Sequence, residues 1–167
     1  MNARTLNFFA ISALAAILAA CSSVPLDEQE GSRSGDGDDA ASSSGVVMDP
    51  FDPESPLAQN RSVYFEFDSY SIPDQYRDLV ETHAKYLSSN ADQDVRIEGH
   101  ADERGGSEYN LALGQRRSDA VRRMMTLLGV NDSQIEAISF GKERPKALGH
   151  TDADYAENRR ADIEYQQ

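Results

Sequence analysis

Arg117 is the charged residue that its neighbours do not explain. Projected at about 100° per residue, the surrounding segment puts Tyr109, Leu113, Ala120, Val121, Met124, Leu127 and Leu128 on one arc, with Arg117 near its middle. Arg116, Arg122 and Arg123 project elsewhere, as solvated charges do. A guanidinium on an apolar face keeps its charge, so it must meet a carboxylate, a set of carbonyls or a ligand anion. Asn110 shares the arc, and the run His100-Ala101-Asp102-Glu103-Arg104-Gly105-Gly106 arrives at the same end of the segment. Asp102 and Arg117 are therefore expected close together. Two readings stay open. One is a structural role, either a buried Asp102–Arg117 ion pair that fixes the loop or Asp102 as a turn residue. The other is a paired anion and cation site for a zwitterion, most simply an amino-acid head group with its ammonium on Asp102 and its carboxylate on Arg117. Leucine fits the arc, so Arg117→Leu is expected to keep the fold and abolish ligand binding.

Rival chemistries lack their residues. Glu98, Asp102 and Glu103 cluster, but a carboxylate pair that cleaves a glycosidic bond must flank it, and Glu98 alternates onto a strand face. There is no Gly-x-Ser-x-Gly nucleophile motif. His83, His100 and His150 form no His-x-x-x-His pair or Cys/His cluster, and Gly105-Gly106 lacks the Lys-Ser/Thr of a phosphate loop. His83 lies on a helical segment, where a surface or half-buried role is expected. His100, beside Asp102, is a candidate for ligand contact. No enzymatic reaction, metal or cofactor is expected. With 29 acidic against 16 basic residues and a pI of about 4.5, the chain is also a poor binder of a phosphate backbone.

The elements that must position these residues follow from periodicity. Val63, Phe65 and Phe67 alternate with Tyr64, Glu66 and Asp68, and Val95, Ile97 and Gly99 alternate with Arg96, Glu98 and His100. Ile135 to Phe140, and Ala161, Ile163 and Tyr165 with their charged partners, complete four strand candidates. Helical patterns run from Pro73 to Ser89, from about Ser107 to Leu128 before Gly129, and briefly from Thr151 to Asn158. The order β-α-β-α-β-(α)-β predicts a two-layer α/β sandwich, a four-stranded sheet with helices on one face. Crossovers of this length favour parallel neighbours, with the last pairing open to antiparallel.

The amino terminus reads differently. Residues 1–20 combine Arg4 with an apolar run from Phe8 to Ala20, too short to span a membrane, as in a secretory signal peptide. Leu18-Ala19-Ala20-Cys21 resembles the bacterial lipobox, which implies lipidation of Cys21, the chain's single cysteine. Ser22 after it, in place of Asp, points by the same resemblance to the outer membrane. From residue 21 to 60, 16 of 40 residues are Gly, Ser or Pro, and nine acidic residues face one basic, Arg33, so a disordered tether is expected there. The folded domain is expected over residues 61–167.

Gly99-His100-Ala101-Asp102-Glu103-Arg104-Gly105, with Tyr109-Asn110, Leu113 and Arg116-Arg117, resembles the core motif of the OmpA-like peptidoglycan-binding domain family. Val63 to Asp68, Gly141-Lys142-Glu143-Arg144-Pro145 and Asn158-Arg159-Arg160-Ala161 extend the likeness over residues 61–167. The resemblance implies noncovalent binding of peptidoglycan through the meso-diaminopimelate of its stem peptide. Asp102 would grip the ammonium and Arg117 the carboxylate, with Phe67, Asp68, Leu113 and Arg160 lining the groove. It also implies acyl chains in the outer membrane, a head facing the periplasm, and TolB and other Tol components as partners in envelope integrity and division. A lipid-tethered protein-interaction scaffold that never binds the wall is the alternative that composition does not separate.

Overall fold

The computed structural model describes residues 48–167. The expected signal peptide, Cys21 and the expected tether as far as residue 47 lie outside the described residues. Four strands, β1 (Ser62–Tyr64), β2 (Val95–His100), β3 (Ile135–Gly141) and β4 (Arg160–Tyr165), form one sheet in the order β1-β4-β2-β3. β2 and β3 run parallel, and β4 is antiparallel to both its neighbours, β1 and β2. Of the four helices, α1 (Pro56–Gln59) precedes β1, α2 (Arg77–Ser89) links β1 to β2, α3 (Ser107–Leu127) makes the parallel crossover, and α4 (Asp152–Asn158) leads into β4. The two-layer α/β arrangement expected from the sequence is present.

Register explains the layering. Val95 stands opposite Tyr165, Ile97 opposite Ile163 and Gly99 opposite Ala161, so one sheet face is continuously apolar. Val80, Ala84 and Leu87 of α2 and Val121 and Met125 of α3 close over that face, all fully buried. Each of the larger side chains, Ala84 aside, contributes roughly 1.5–3 kcal/mol on leaving water. α4 adds nothing to this core.

α3 lies unusually close to β2. A Cβ on Gly99 would sit 1.9 Å from the Gly114 carbonyl oxygen, and one on Gly114 would sit 2.3 Å from Ser139 Oγ, so both positions must be glycine for the backbones to meet. The buried stripe of α3 is Asn110, Leu113, Gly114, Arg117, Ser118, Val121 and Met125. It is rotated from the arc expected above. Tyr109 is half exposed, and Leu127 is 89% exposed. The projection weighted large apolar residues and so missed that glycine and serine make the closest approach to the sheet.

Two boundaries move. β1 was expected to run to Asp68 but stops at Tyr64, and Phe67 is 62% exposed. Beyond Tyr64 one more sheet-like bond forms, from Phe65 N to Arg159 O at 2.8 Å, before the chain turns, with Ser69 N donating to Glu66 O at 3.2 Å and Asp68 at φ 53°. Asp tolerates that left-handed conformation better than most residues do. The folded unit also begins before Arg61. Leu57 is fully buried, Phe51 packs edge-on against Tyr165 with ring centroids 6.4 Å apart, and Arg61 donates to the Pro50 carbonyl. His83, expected at or near the surface, is instead buried and anchors this segment. Its Nε2 contacts Asn60 O at 2.7 Å and its Nδ1 contacts Tyr165 Oη at 2.7 Å. A carbonyl can only accept, so Nε2 carries the proton and Nδ1 accepts from the tyrosine hydroxyl. Burial lowers the His83 pKa and keeps the ring neutral.

Candidate functional site

β2 ends at His100, and the next residues fold back over the amino-terminal half of α3. Between them and the 65–69 turn lies a cavity of about 230 Å³, lined by Phe67, Asp68, Ala101, Asp102, Arg104, Gly105, Tyr109, Asn110, Leu113, Arg117 and Arg159. Five of the residues expected at a ligand groove, Asp102, Arg117, Phe67, Asp68 and Leu113, share this cavity.

Arg117 forms its deep wall. The glycine contact brings α3 down on β2, and the Arg117 side chain reaches past the strand end with no surface left exposed. Its Nε donates to Ser69 O at 2.9 Å, Nη1 to His100 O at 2.7 Å and Nη2 to Glu66 O at 3.2 Å. Of the three partners open to it in the sequence, the set of carbonyls is the one found. The contact also explains the end of β1, because the guanidinium satisfies carbonyls that a strand partner would otherwise have taken. Arg117→Leu would take the guanidinium from Ser69 O and His100 O and leave Glu66 O with only the Ser69 N–H, so a loss of stability is expected in place of the tolerance that the arc suggested. Burial pushes the Arg117 pKa down to about 10, helped by the Arg159 charge and opposed by Asp102 and Asp68, and the side chain stays cationic at neutral pH. A guanidinium carries five N–H donors, so one on each Nη is not taken by these carbonyls.

Asp102, 5% exposed, does not pair with Arg117. Its Oδ1 accepts from Arg104 N at 3.1 Å and Arg104 Nε at 3.1 Å, and its Oδ2 accepts from Arg104 Nη2 at 2.7 Å and Arg159 Nη1 at 3.5 Å. Burial pushes the carboxyl up, but the Arg104 bonds, the Arg104 charge and Arg159 outweigh it and hold Asp102 below its ordinary value. Arg104 is itself clamped, its guanidinium carbon 4.4 Å from the ring centroids of both Phe67 and Tyr155. At the mouth Tyr109 Oη donates to the Asp68 carboxylate, and Asn110 Nδ2 donates to Arg104 O at 2.9 Å, fixing the loop. The cavity thus offers a carboxylate and a guanidinium that are not bonded to each other, beside the apolar wall of Leu113.

Two expected site residues lie elsewhere. His100 shares the outward parity of Arg96 and Glu98, so it faces away from α3 and stacks on Phe140 with centroids 5.7 Å apart. Its Nε2 stands 3.5 Å from Asp162 Oδ2, too poorly aligned for a hydrogen bond, and neither ring nitrogen has a partner. Arg160, the first residue of β4, also turns to that outer face, where its Nε donates to Asp162 Oδ2 at 2.8 Å. Arg159 lines the cavity in its place, held by a bond from Nε to Phe65 O at 3.0 Å. Arg104, Tyr109 and Arg159 are the cavity residues that sequence reasoning missed. The pairing of Asp102 with a residue two positions on has no periodic signature. Among the described residues no group of three His, Cys, Asp or Glu is arranged to hold a metal ion.

The sheet order and this cavity define a class. The family model for the OmpA family matches residues 64–159, which include every cavity-lining residue. The chain belongs to the OmpA family and, within it, to the peptidoglycan-associated lipoproteins. It is 39% identical over 160 residues to the peptidoglycan-associated lipoprotein of Pseudomonas aeruginosa, covering 94% of this chain and 95% of that protein. It is 38% identical over 150 residues to that of Pasteurella multocida, covering 90% and 91%. The crystal structure of the peptidoglycan-associated lipoprotein from Burkholderia pseudomallei is similar to it with a TM-score of 0.68 and 61% identity, covering 70% of this chain and 98% of that one.

Proposed function

We propose that the head binds peptidoglycan noncovalently by gripping the meso-diaminopimelate of a stem peptide, its side-chain ammonium at Asp102 and the neighbouring carboxylate at Arg117. The observation that carries this reading is the pair of N–H donors left on a buried Arg117 at the wall of a cavity that also holds Asp102. Binding at both ends of the zwitterion discriminates against a ligand lacking either charge. Leu113 and Phe67 give the methylene chain an apolar surface, and Arg159 adds positive potential.

Residues 1–20 act as the signal peptide, and Cys21 carries the acyl chains that hold the protein in the outer membrane, with the head in the periplasm. Residues 21–47 are then the tether. At ~3.4 Å per residue their contour length is about 90 Å, enough for one molecule to engage the membrane and the wall at once. In this role the protein performs no reaction. It links two layers and, as part of the Tol-Pal system with TolB as a partner, serves envelope integrity and outer-membrane invagination at division. The names of its relatives and the lipobox support that reading.

Cosedimentation of the full chain, held in mild detergent, with diaminopimelate-type sacculi tests it. Wild type pelleting, and Asp102→Ala remaining in the supernatant with an unchanged circular dichroism spectrum, is the expected result. A wild type that stays in the supernatant would leave a tethered protein-interaction scaffold as the better description.

A further inference from the structure

The four acceptor positions of the Asp102 carboxylate are filled within the chain itself. A carboxylate offers about four lone-pair sites, and here the Arg104 backbone N–H, Arg104 Nε, Arg104 Nη2 and Arg159 Nη1 take them. A ligand ammonium can reach Asp102 only by displacing one of these donors. The backbone N–H belongs to the turn. Arg159 is 13% exposed and tied to Phe65 O. The Arg104 side chain is 39% exposed, and its other contacts are two ring faces rather than hydrogen bonds. It is the donor free to leave.

We propose that Arg104 is an internal competitor for the ammonium half of the cavity, occupying Asp102 until a ligand displaces its guanidinium. The inference rests on the zwitterion reading above. Arg104 is preorganised for this role. The turn places it, Phe67 and Tyr155 sandwich it, and it competes at the high effective concentration of an intramolecular group. Apparent affinity for any ligand that needs Asp102 therefore falls by the fraction of molecules in which Arg104 has swung away. The factor is the same for every such ligand, so Arg104 acts as a threshold. An isolated ammonium, which gains only Asp102, falls below useful occupancy, whereas a ligand that also engages Arg117 stays above it. A ligand that uses only Arg117 does not meet the competitor at all.

The test is titration of the full chain in detergent with three tripeptides of the stem-peptide sequence. The third residue is meso-diaminopimelate, lysine (ammonium without the distal carboxylate), or diaminopimelate acetylated on its side-chain amine. Wild type is compared with Arg104→Gln, which keeps most of the stem between the rings, and Arg104→Ala. The expected result is a gain of about tenfold for the diaminopimelate and lysine peptides in both variants, with no gain for the acetylated peptide. In an Asp102→Ala background, Arg104→Gln should give no gain for any peptide. Unchanged or weaker diaminopimelate binding by variants that melt with wild type would overturn the competitor role, as would an equal gain for the acetylated peptide. Failure of wild type to bind the diaminopimelate peptide would instead bring down the zwitterion reading, and this inference with it.

Discussion

The two faces of the sheet carry two buried charge clusters, which draw on neighbouring residues at the end of β2 and the start of β4. On the helix side Asp102, Arg117 and Arg159 surround a cavity. On the outer side His100, Arg160 and Asp162 pack beneath Phe140 and Arg144. His100 and Asp102 are two residues apart, and Arg159 and Arg160 are adjacent, yet each pair is divided between the faces. Both clusters hold buried polar groups with bonding capacity to spare: on the outer side His100 Nδ1, His100 Nε2 and Arg160 Nη1 have no partner, and on the helix side each Arg117 Nη makes one bond of the two it can donate. What separates them is where those atoms lie. Arg117 lines a hollow of about 230 Å³ with Asp102 beside it, while the Arg160 Nη1 and both His100 ring nitrogens are buried and border no such cavity. Burial of charge marks a special position, and an adjacent concave space turns it into a site.

Substitution at Arg117 should expose this difference most strongly. Arg117→Leu takes the guanidinium from the carbonyls of Ser69, His100 and Glu66, and we expect a stability loss of about 3 kcal/mol, read as a lower urea midpoint at unchanged slope. Wild-type stability in that variant would mean that the carbonyls find water without the guanidinium.

The outer cluster should respond to pH instead. Burial and the Arg160 charge, with Arg144 adding and Asp162 opposing, push His100 from its ordinary 6.5 to about 4. Between those values the unfolded chain binds a proton that the folded chain refuses. The stability that His100 contributes is therefore complete above pH 6.5 and is lost as pH falls toward 4, by an amount on the order of 3 kcal/mol. Urea midpoints measured across that window should fall more steeply in wild type than in His100→Asn. Parallel slopes would place the proton on His100 in the folded protein.

The adjacent arginines sharpen the comparison further. Arg159→Gln should weaken binding to sacculi by about tenfold, and Arg160→Gln should leave it unchanged. The reverse order would move the site to the outer face. The smallest expected effect is at the mouth, where Tyr109→Phe removes the bond to Asp68 and should lower affinity by about threefold without a measurable change in melting.

The sequence made one of these clusters easier to read than the other. Arg117 stood out because an arginine among apolar residues needs a partner, and Asp102 because the loop after β2 must return to α3. Parity already carried the correction for His100, since it shares its strand face with Arg96 and Glu98, but its place beside Asp102 drew it toward the site. Arg159 and Arg160 were not separable from sequence, because the choice rests on where β4 begins, and a one-residue slip exchanges the two faces. Alternation alone groups Phe67 with Val63 and Phe65. It is outside because Arg117 ends the strand, a tertiary effect that a local pattern does not contain.

The central claim is that one cavity reads both charges of a zwitterion, and it is tested most directly by changing the ligand while the protein stays wild type. Calorimetric titration of the full chain would compare the tripeptide ending in meso-diaminopimelate with the same peptide amidated at its distal carboxylate. Binding that weakens by at least about tenfold on amidation is the result expected if Arg117 receives that carboxylate. Equal affinity for the two peptides would contradict it.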